Sequence, residues 1–139
     1  MARISRATAP DHQVYPGFVD AYEEVAAGWS VTFESNFVDM DQSAFFKGAP
    51  NDQCQSHHMG YMLKGRFGIR KSDGSEEIYE AGDAFVIEPG HTPIVFEGSE
   101  FVAFTPAEEA RQQREVMMPN VLQFAWERGI DLPPRDMST

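Results

Sequence analysis

The chain has 139 residues, 42% of them hydrophobic and 12% aromatic, which suffices for one domain with an apolar core and no need of a disulfide or metal to fold. Its 11 basic and 22 acidic residues give a net charge of −11, which argues against nucleic acid as a partner, because phosphates need a basic footprint, and against an anionic membrane surface. No apolar run approaches the roughly 18 residues of a membrane span. Met1–Pro10 lacks the apolar stretch of a secretory signal, and the lone Cys54 cannot form an intramolecular disulfide, so a cytoplasmic protein is expected.

In chain order, residues 1–12 have no periodicity and are expected to be frayed. Residues 20–27 could form a short helical turn stopped by Gly28. From Trp29 the period becomes two: Trp29, Val31 and Phe33 alternate with Ser30, Thr32 and Glu34, the pattern of a half-buried strand. Ala44-Phe45-Phe46 is a second short strand candidate, and residues 48–52 form a turn. Tyr61 to Lys71 is strand-like but interrupted by Gly65. Ser72-Asp73-Gly74-Ser75 is a hairpin signal, since Asp-Gly supplies the positive φ of a tight turn. Short apolar runs at 84–87, 94–96 and 101–104 follow, separated by turns at 81–83, 88–90 and 98–99.

Short strands so regularly punctuated predict a sandwich or barrel over residues 29–105. Met62, Phe67, Ile69, Phe85, Ile87, Ile94 and Phe96 are expected to form its walls, and Tyr61, of opposite parity to His58, to face the core or a dimer partner. Thr105-Pro106-Ala107-Glu108 reads as a capping box that starts a helix ending before Pro119. Asn120 then caps a second helix, so that helices cover residues 106–129. Residues 133–139 are expected to be a frayed end.

Cys54, His58 and His91 are the donors that suit zinc and other late transition metals. Along a straight strand, Cys54 and His58 would be roughly 13 Å apart, too far to share an ion. A common site needs a bend between them, and the polar stretch 53–57 permits one. Asp52 could add a carboxylate oxygen, although turn chemistry also explains it. His57 should face away by parity, and is a weak candidate for a general base. The alternative is structural: a buried cysteine acting as a small hydrophobe and two hydrogen-bonded histidines.

Residues 48–104 resemble the cupin superfamily, whose first motif is G(X)5HXH(X)3–4E(X)6G and whose second is G(X)5PXG(X)2H(X)3N. Anchored on Gly65, the glutamate position of the first motif holds His58, the second histidine position Cys54 and the first histidine position Asp52; the leading glycine is absent. Anchored on Gly82, the second motif has Glu88 in the proline position with Pro89 beside it, then Gly90, Pro93 in the histidine position and Glu97 in the asparagine position; His91 lies two residues before Pro93. Segments 51–54, 58–65, 81–85 and 89–93 also look like a subgroup of small bacterial cupins. The resemblance implies an all-β double-stranded β-helix, or jelly-roll barrel, with a short C-terminal helical appendage. It also implies a metal in the barrel, a small organic ligand or substrate, and a homodimer. A Cys/His/His set should favour zinc, with iron, nickel or manganese as alternatives. If the protein is an enzyme, zinc points to isomerase, lyase, cyclase or hydrolase chemistry. The competing expectations are a non-catalytic binding or sensing module, and a subunit that binds a partner through its C-terminal helices.

Overall fold

The computed structural model describes residues 2–132. The strands are β1 (Asp11–Tyr15), β2 (Val19–Ala26), β3 (Trp29–Asn36), β4 (Met40–Asp41), β5 (His58–Lys64), β6 (Arg66–Lys71), β7 (Glu76–Glu80), β8 (Ala84–Ile87), β9 (His91–Val95) and β10 (Glu100–Pro106). They form a six-stranded sheet in the order β1-β2-β3-β10-β5-β8 and a four-stranded sheet in the order β4-β9-β6-β7, every pair antiparallel. The α-helix α1 (Ala107–Glu127) follows. This is the expected double-sheet jelly roll with a C-terminal helix.

The turns form where the sequence places them. Asp73 Oδ1 accepts the Ser75 amide at 2.9 Å and Gly74 takes φ +87°, closing the β6–β7 hairpin. Gly65 takes φ +65° between β5 and β6, and a Cβ there would lie 3.0 Å from the Ser99 Cα, so a side chain is excluded on two grounds.

Other elements differ from expectation. Residues 20–27 are not helical: β2 runs through them, and Val19, Ala21 and Glu23 are buried in alternation while β1 and β3 pair on either side. The period there is two, hidden by the helix-favouring composition of the segment. Residues 11 and 12 are not frayed but belong to β1, where His12 stacks on Tyr22 at 4.0 Å. Ala44–Phe46 lies in a 3₁₀ turn, Ser43–Phe46, not a strand; it buries Phe45 and Phe46 under α1. The expectation for residues 133–139 lies outside the described residues.

The two predicted helices are one. Pro119 sits inside α1, and Asn120 does not cap a helix: its Nδ2 donates to the Phe45 and Lys47 carbonyls, each at 2.9 Å, fastening α1 to the 3₁₀ turn. Met118, Val121 and Ala125 are buried, and this packing holds the helix continuous through the proline. Thr105 is the penultimate residue of β10 rather than a cap, and Pro106 is the N-cap without a side-chain bond.

The inward faces also differ. Met62, Phe67, Ile69, Phe85 and Ile87 are buried walls, joined by Val95 and Phe101. On β9 the inward set is His91, Pro93 and Val95, so Ile94 and Phe96 face the other way and are half-buried, with the Arg66 guanidinium 4.2 Å from the Phe96 ring centre. Tyr61 is not in the core but 45% exposed on the outer face of β5. On β3 the polar set Ser30, Thr32 and Glu34 lines the interior, while Trp29 is 37% exposed outside.

Gly60 in β5 shows how closely the six-stranded sheet is packed. A Cβ there would lie 2.3 Å from the Val102 carbonyl oxygen and 2.3 Å from Phe85 Cζ. Gly60→Ala is expected to cost about 1–3 kcal/mol by overpacking. Urea denaturation should show a lower midpoint at unchanged slope.

Candidate metal centre

Three side chains from two segments of the chain, 54–58 and the start of β9, converge at one end of the barrel. Cys54 is held in an isolated antiparallel bridge with His91, its amide donating to the His91 carbonyl at 2.8 Å. Residues 55–57 then leave extended pairing, and β5 begins at His58. The bend the sequence required is therefore present. Cys54 Sγ lies 3.5 Å from His58 Nε2, and donor atoms of Cys54, His58 and His91 all lie within 4.8 Å of one another. In a tetrahedral zinc site, a sulfur at about 2.3 Å and a nitrogen at about 2.0–2.1 Å from the ion stand about 3.5 Å apart. The spacing and chemistry of these donors fit such an ion.

The surroundings orient the donors. His91 Nδ1 donates to the Glu88 carbonyl at 2.7 Å, which leaves its Nε2 lone pair free. His58 Nδ1 lies 2.7 Å from Thr105 Oγ1, and its Nε2 points towards the sulfur. The rings meet edge-on with centroids 5.4 Å apart. Cys54 and His91 are buried and His58 is half-buried. Burial pushes the Cys54 thiol up to about 11, against hydrogen bonds from Ser56. Burial also pushes His58 down to about 3, aided by the neighbouring His91, and burial lowers His91 despite the Glu88 carbonyl. Without an ion, the group is thus a thiol and two neutral imidazoles, with nitrogen lone pairs available.

Asp52 is not part of this group. It is exposed, and its Oδ1 accepts the Gly48 amide at 2.9 Å, the turn role. His57 is exposed, with its Nδ1 and its amide each 2.8 Å from Glu109 Oε1. Glu88 and Glu97 are exposed.

Beside the triad lies a cavity of about 190 Å³ between β2, β3, α1 and the Ser43–Phe46 turn. Thr105 and Gln113 line it; they are also the partners of His58 and of the Cys54 thiol, whose Sγ is 3.7 Å from Gln113 Oε1. Sequence reasoning missed its polar groups. The Glu23 carboxylate accepts from Ser30 Oγ and pairs with Arg114 Nη2 at 2.9 Å. Glu34 lines the cavity half-buried, and desolvation there pushes its carboxyl up to about 7 despite a 3.2 Å hydrogen bond from Asn36 Nδ2. The sequence carried no signal for them: Glu23 lies in a segment whose composition favours a helix, and alternation on β3 does not say which face is inward.

No protein-family model matches the chain, and no curated protein matches it in sequence. Solved structures do. An RmlC-like cupin from Shewanella frigidimarina has 15% identity and a TM-score of 0.53, over 79% of this chain and 96% of that one. Ectoine synthase from P. lautus has 10% identity and a TM-score of 0.51, over 76% and 78%. A protein of unknown function from Rhizobium leguminosarum bv. viciae has 15% identity and a TM-score of 0.50, over 76% and 94%. The chain has the cupin fold. Among the described residues, no helix is long and apolar enough to cross a membrane.

A desolvated acid with a raised pKa penalises folding once it must ionise. The Glu34 penalty is absent below the ordinary carboxyl pKa of 4.5 and complete above about 7, because the folded state holds the proton longer. Relative to Glu34→Gln, the wild type should lose on the order of 2 kcal/mol between pH 5 and pH 8, a figure that allows for water reaching the cavity. Denaturant titrations of both proteins at the two pH values measure this difference.

Proposed function

We propose that this cupin holds one divalent metal, zinc, on Cys54, His58 and His91, and binds or transforms a small organic molecule in the adjacent cavity by non-redox chemistry. The observation that carries the reading is the convergence of three metal-ligating atoms within 4.8 Å, both histidines having their Nδ1 engaged elsewhere. Three protein donors leave a fourth position open, the pattern of a catalytic zinc site. Zinc, when bound, supplies a Lewis acid that polarises a carbonyl or activates water. Thr105 and the Glu88 carbonyl hold the imidazoles in orientation. Gln113 reaches from α1 over the thiol and forms part of the cavity wall. Glu34, with its proton held to about pH 7, is the acid–base group of the cavity, a role that the exposed His57 is not placed to fill. The second reading, a binding module without catalysis, is favoured by the small cavity of about 190 Å³ and uses the same residues. A lone buried thiol suits a reducing, cytoplasmic setting.

The homodimer belongs to the same proposal. The outer face of the six-stranded sheet exposes Met59, Tyr61, Leu63, Val86 and Phe104, with Val86 74% exposed. The Lys64–Glu100 ion pair on this sheet, at 3.2 Å, puts opposite charges side by side, so that a two-fold arrangement can set each against its complement. A second copy is the proposed occupant. Light scattering should give a dimer for the wild type and a monomer for the Tyr61→Glu/Val86→Glu double variant; a monomeric wild type contradicts it.

The metal reading has a direct test. Elemental analysis after dialysis against a weak chelator should give about one zinc per chain, and Cys54→Ser or His58→Ala should lose it. Stoichiometric zinc retained by both variants would refute the ligand assignment.

A further inference from the structure

The cavity has an unbalanced set of charges. Among the described residues that line it, the titratable groups are Tyr15, Glu23 from β2, Glu34 from β3 and Arg114 from α1. They amount to two carboxyls against one guanidinium. The guanidinium is taken by Glu23 at 2.9 Å, both side chains being largely buried. Glu34 is hydrogen-bonded by the neutral Asn36 amide, and no guanidinium or ammonium among the described residues forms an ion pair with it. The remaining polar lining consists of hydroxyls and amides: Ser30, Thr32, Thr105, Gln13, Gln42 and Gln113. The apolar lining includes Val19 and Ala21 from β2, with Ala21 the cross-strand neighbour of Glu34, and Phe46 and Met117.

Among the described residues a free anion finds no unpaired cation here and meets a carboxyl. A neutral molecule would leave Glu34 as it is. A small cation would supply the partner that Glu34 lacks. The volume sets the size: an apolar cavity of roughly 150 Å³ holds benzene, so about 190 Å³ takes a molecule of similar size. The apolar lining suits a short hydrocarbon portion, and the net charge of −11 favours the approach of cations.

We propose that the cavity selects small organic ammonium compounds, with Glu34 as the carboxylate that pairs with the cationic head while a short hydrocarbon stem lies against Ala21, Phe46 and Met117. The inference names the ligand class of the site proposed above and rests on the reading that a ligand enters the barrel, but it does not need the metal. Binding converts the Glu34 carboxylic acid to carboxylate. The ammonium keeps its protons, and the acid's proton goes to buffer. Because Glu34 is about half protonated near pH 7, binding there should release about half a proton per ligand.

The test is a matched series of n-butylammonium, butan-1-ol and butyrate, titrated calorimetrically into metal-free and zinc-loaded wild-type protein in buffers of different ionisation enthalpy. Butylammonium should bind about tenfold or more tighter than the alcohol at pH 8, release about half a proton at pH 7, and lose both properties in Glu34→Gln. Should that variant fail to fold, an NMR titration of the wild-type Glu34 carboxyl serves instead. Its pKa should fall with butylammonium and stay put with butan-1-ol. Equal binding of amine and alcohol, preference for butyrate, or no binding by any of the three overturns the inference. Zinc uptake without amine selectivity defeats this inference alone; amine selectivity in a protein that takes no zinc defeats the metal reading alone.

Discussion

The structure depends on a short backbone bridge between Cys54 and His91. The Cys54 amide donates to the His91 carbonyl, and the Gly90 amide donates back to the Cys54 carbonyl, each at 2.8 Å. Cys54 leads into β5 of the six-stranded sheet, whereas His91 opens β9 of the four-stranded sheet. The bridge therefore ties the segment that enters one sheet to the first residue of a strand in the other. Each bond contributes only about 0.5–1.5 kcal/mol net. Their larger effect is geometric, since they put a thiol and an imidazole on the same inward side before His58 arrives from the strand that follows.

From that point the interior divides in two. One end is filled by Met62, Phe67, Ile69, Phe85, Ile87, Val95 and Phe101, with several aromatic pairs among them. The other end sets polar groups beside a second apolar cluster that includes Phe18, Phe45, Phe46 and Val121. In the sheet register Thr105 lies opposite Ser30, and Thr105 in turn contacts His58, so a row of hydroxyls connects the histidine to the Glu23–Arg114 pair. α1 lies against this end and adds Gln113 and Arg114. Buried polar groups of this kind stabilise less than apolar packing of the same volume would. Here they stand beside three metal-ligating atoms, whereas the buried Asn36–Ser99 pair lies at the opposite end of β3 and β10.

Much of this was legible in the residues, and the misses share a cause. The hairpin at Asp73-Gly74, the break at Gly65 and the strands between them follow from local backbone chemistry, which the rest of the fold does not override. The convergence of Cys54, His58 and His91 could be read because residue type and parity agreed once a bend was allowed at 53–57. Residues 20–27 failed because Ala-Tyr-Glu-Glu-Val-Ala-Ala favours a helix by propensity, whereas pairing on both sides makes it a strand. Pro119 failed in the opposite direction, since tertiary packing of Met118 and Val121 carries α1 through a residue that breaks isolated helices. Glu34 was missed because strand alternation shows that two faces differ, not which one faces in. On β3 the polar face lines a cavity, and only the three-dimensional arrangement reveals it.

The central claim is that one sulfur and two imidazole nitrogens bind the same ion. X-ray absorption at the zinc edge of the loaded protein tests it most directly. The account predicts one sulfur scatterer at about 2.3 Å, with nitrogen neighbours at about 2.0–2.1 Å that carry the multiple-scattering signature of imidazole. A shell of oxygen and nitrogen alone, without sulfur, would remove Cys54 from the centre and contradict the account.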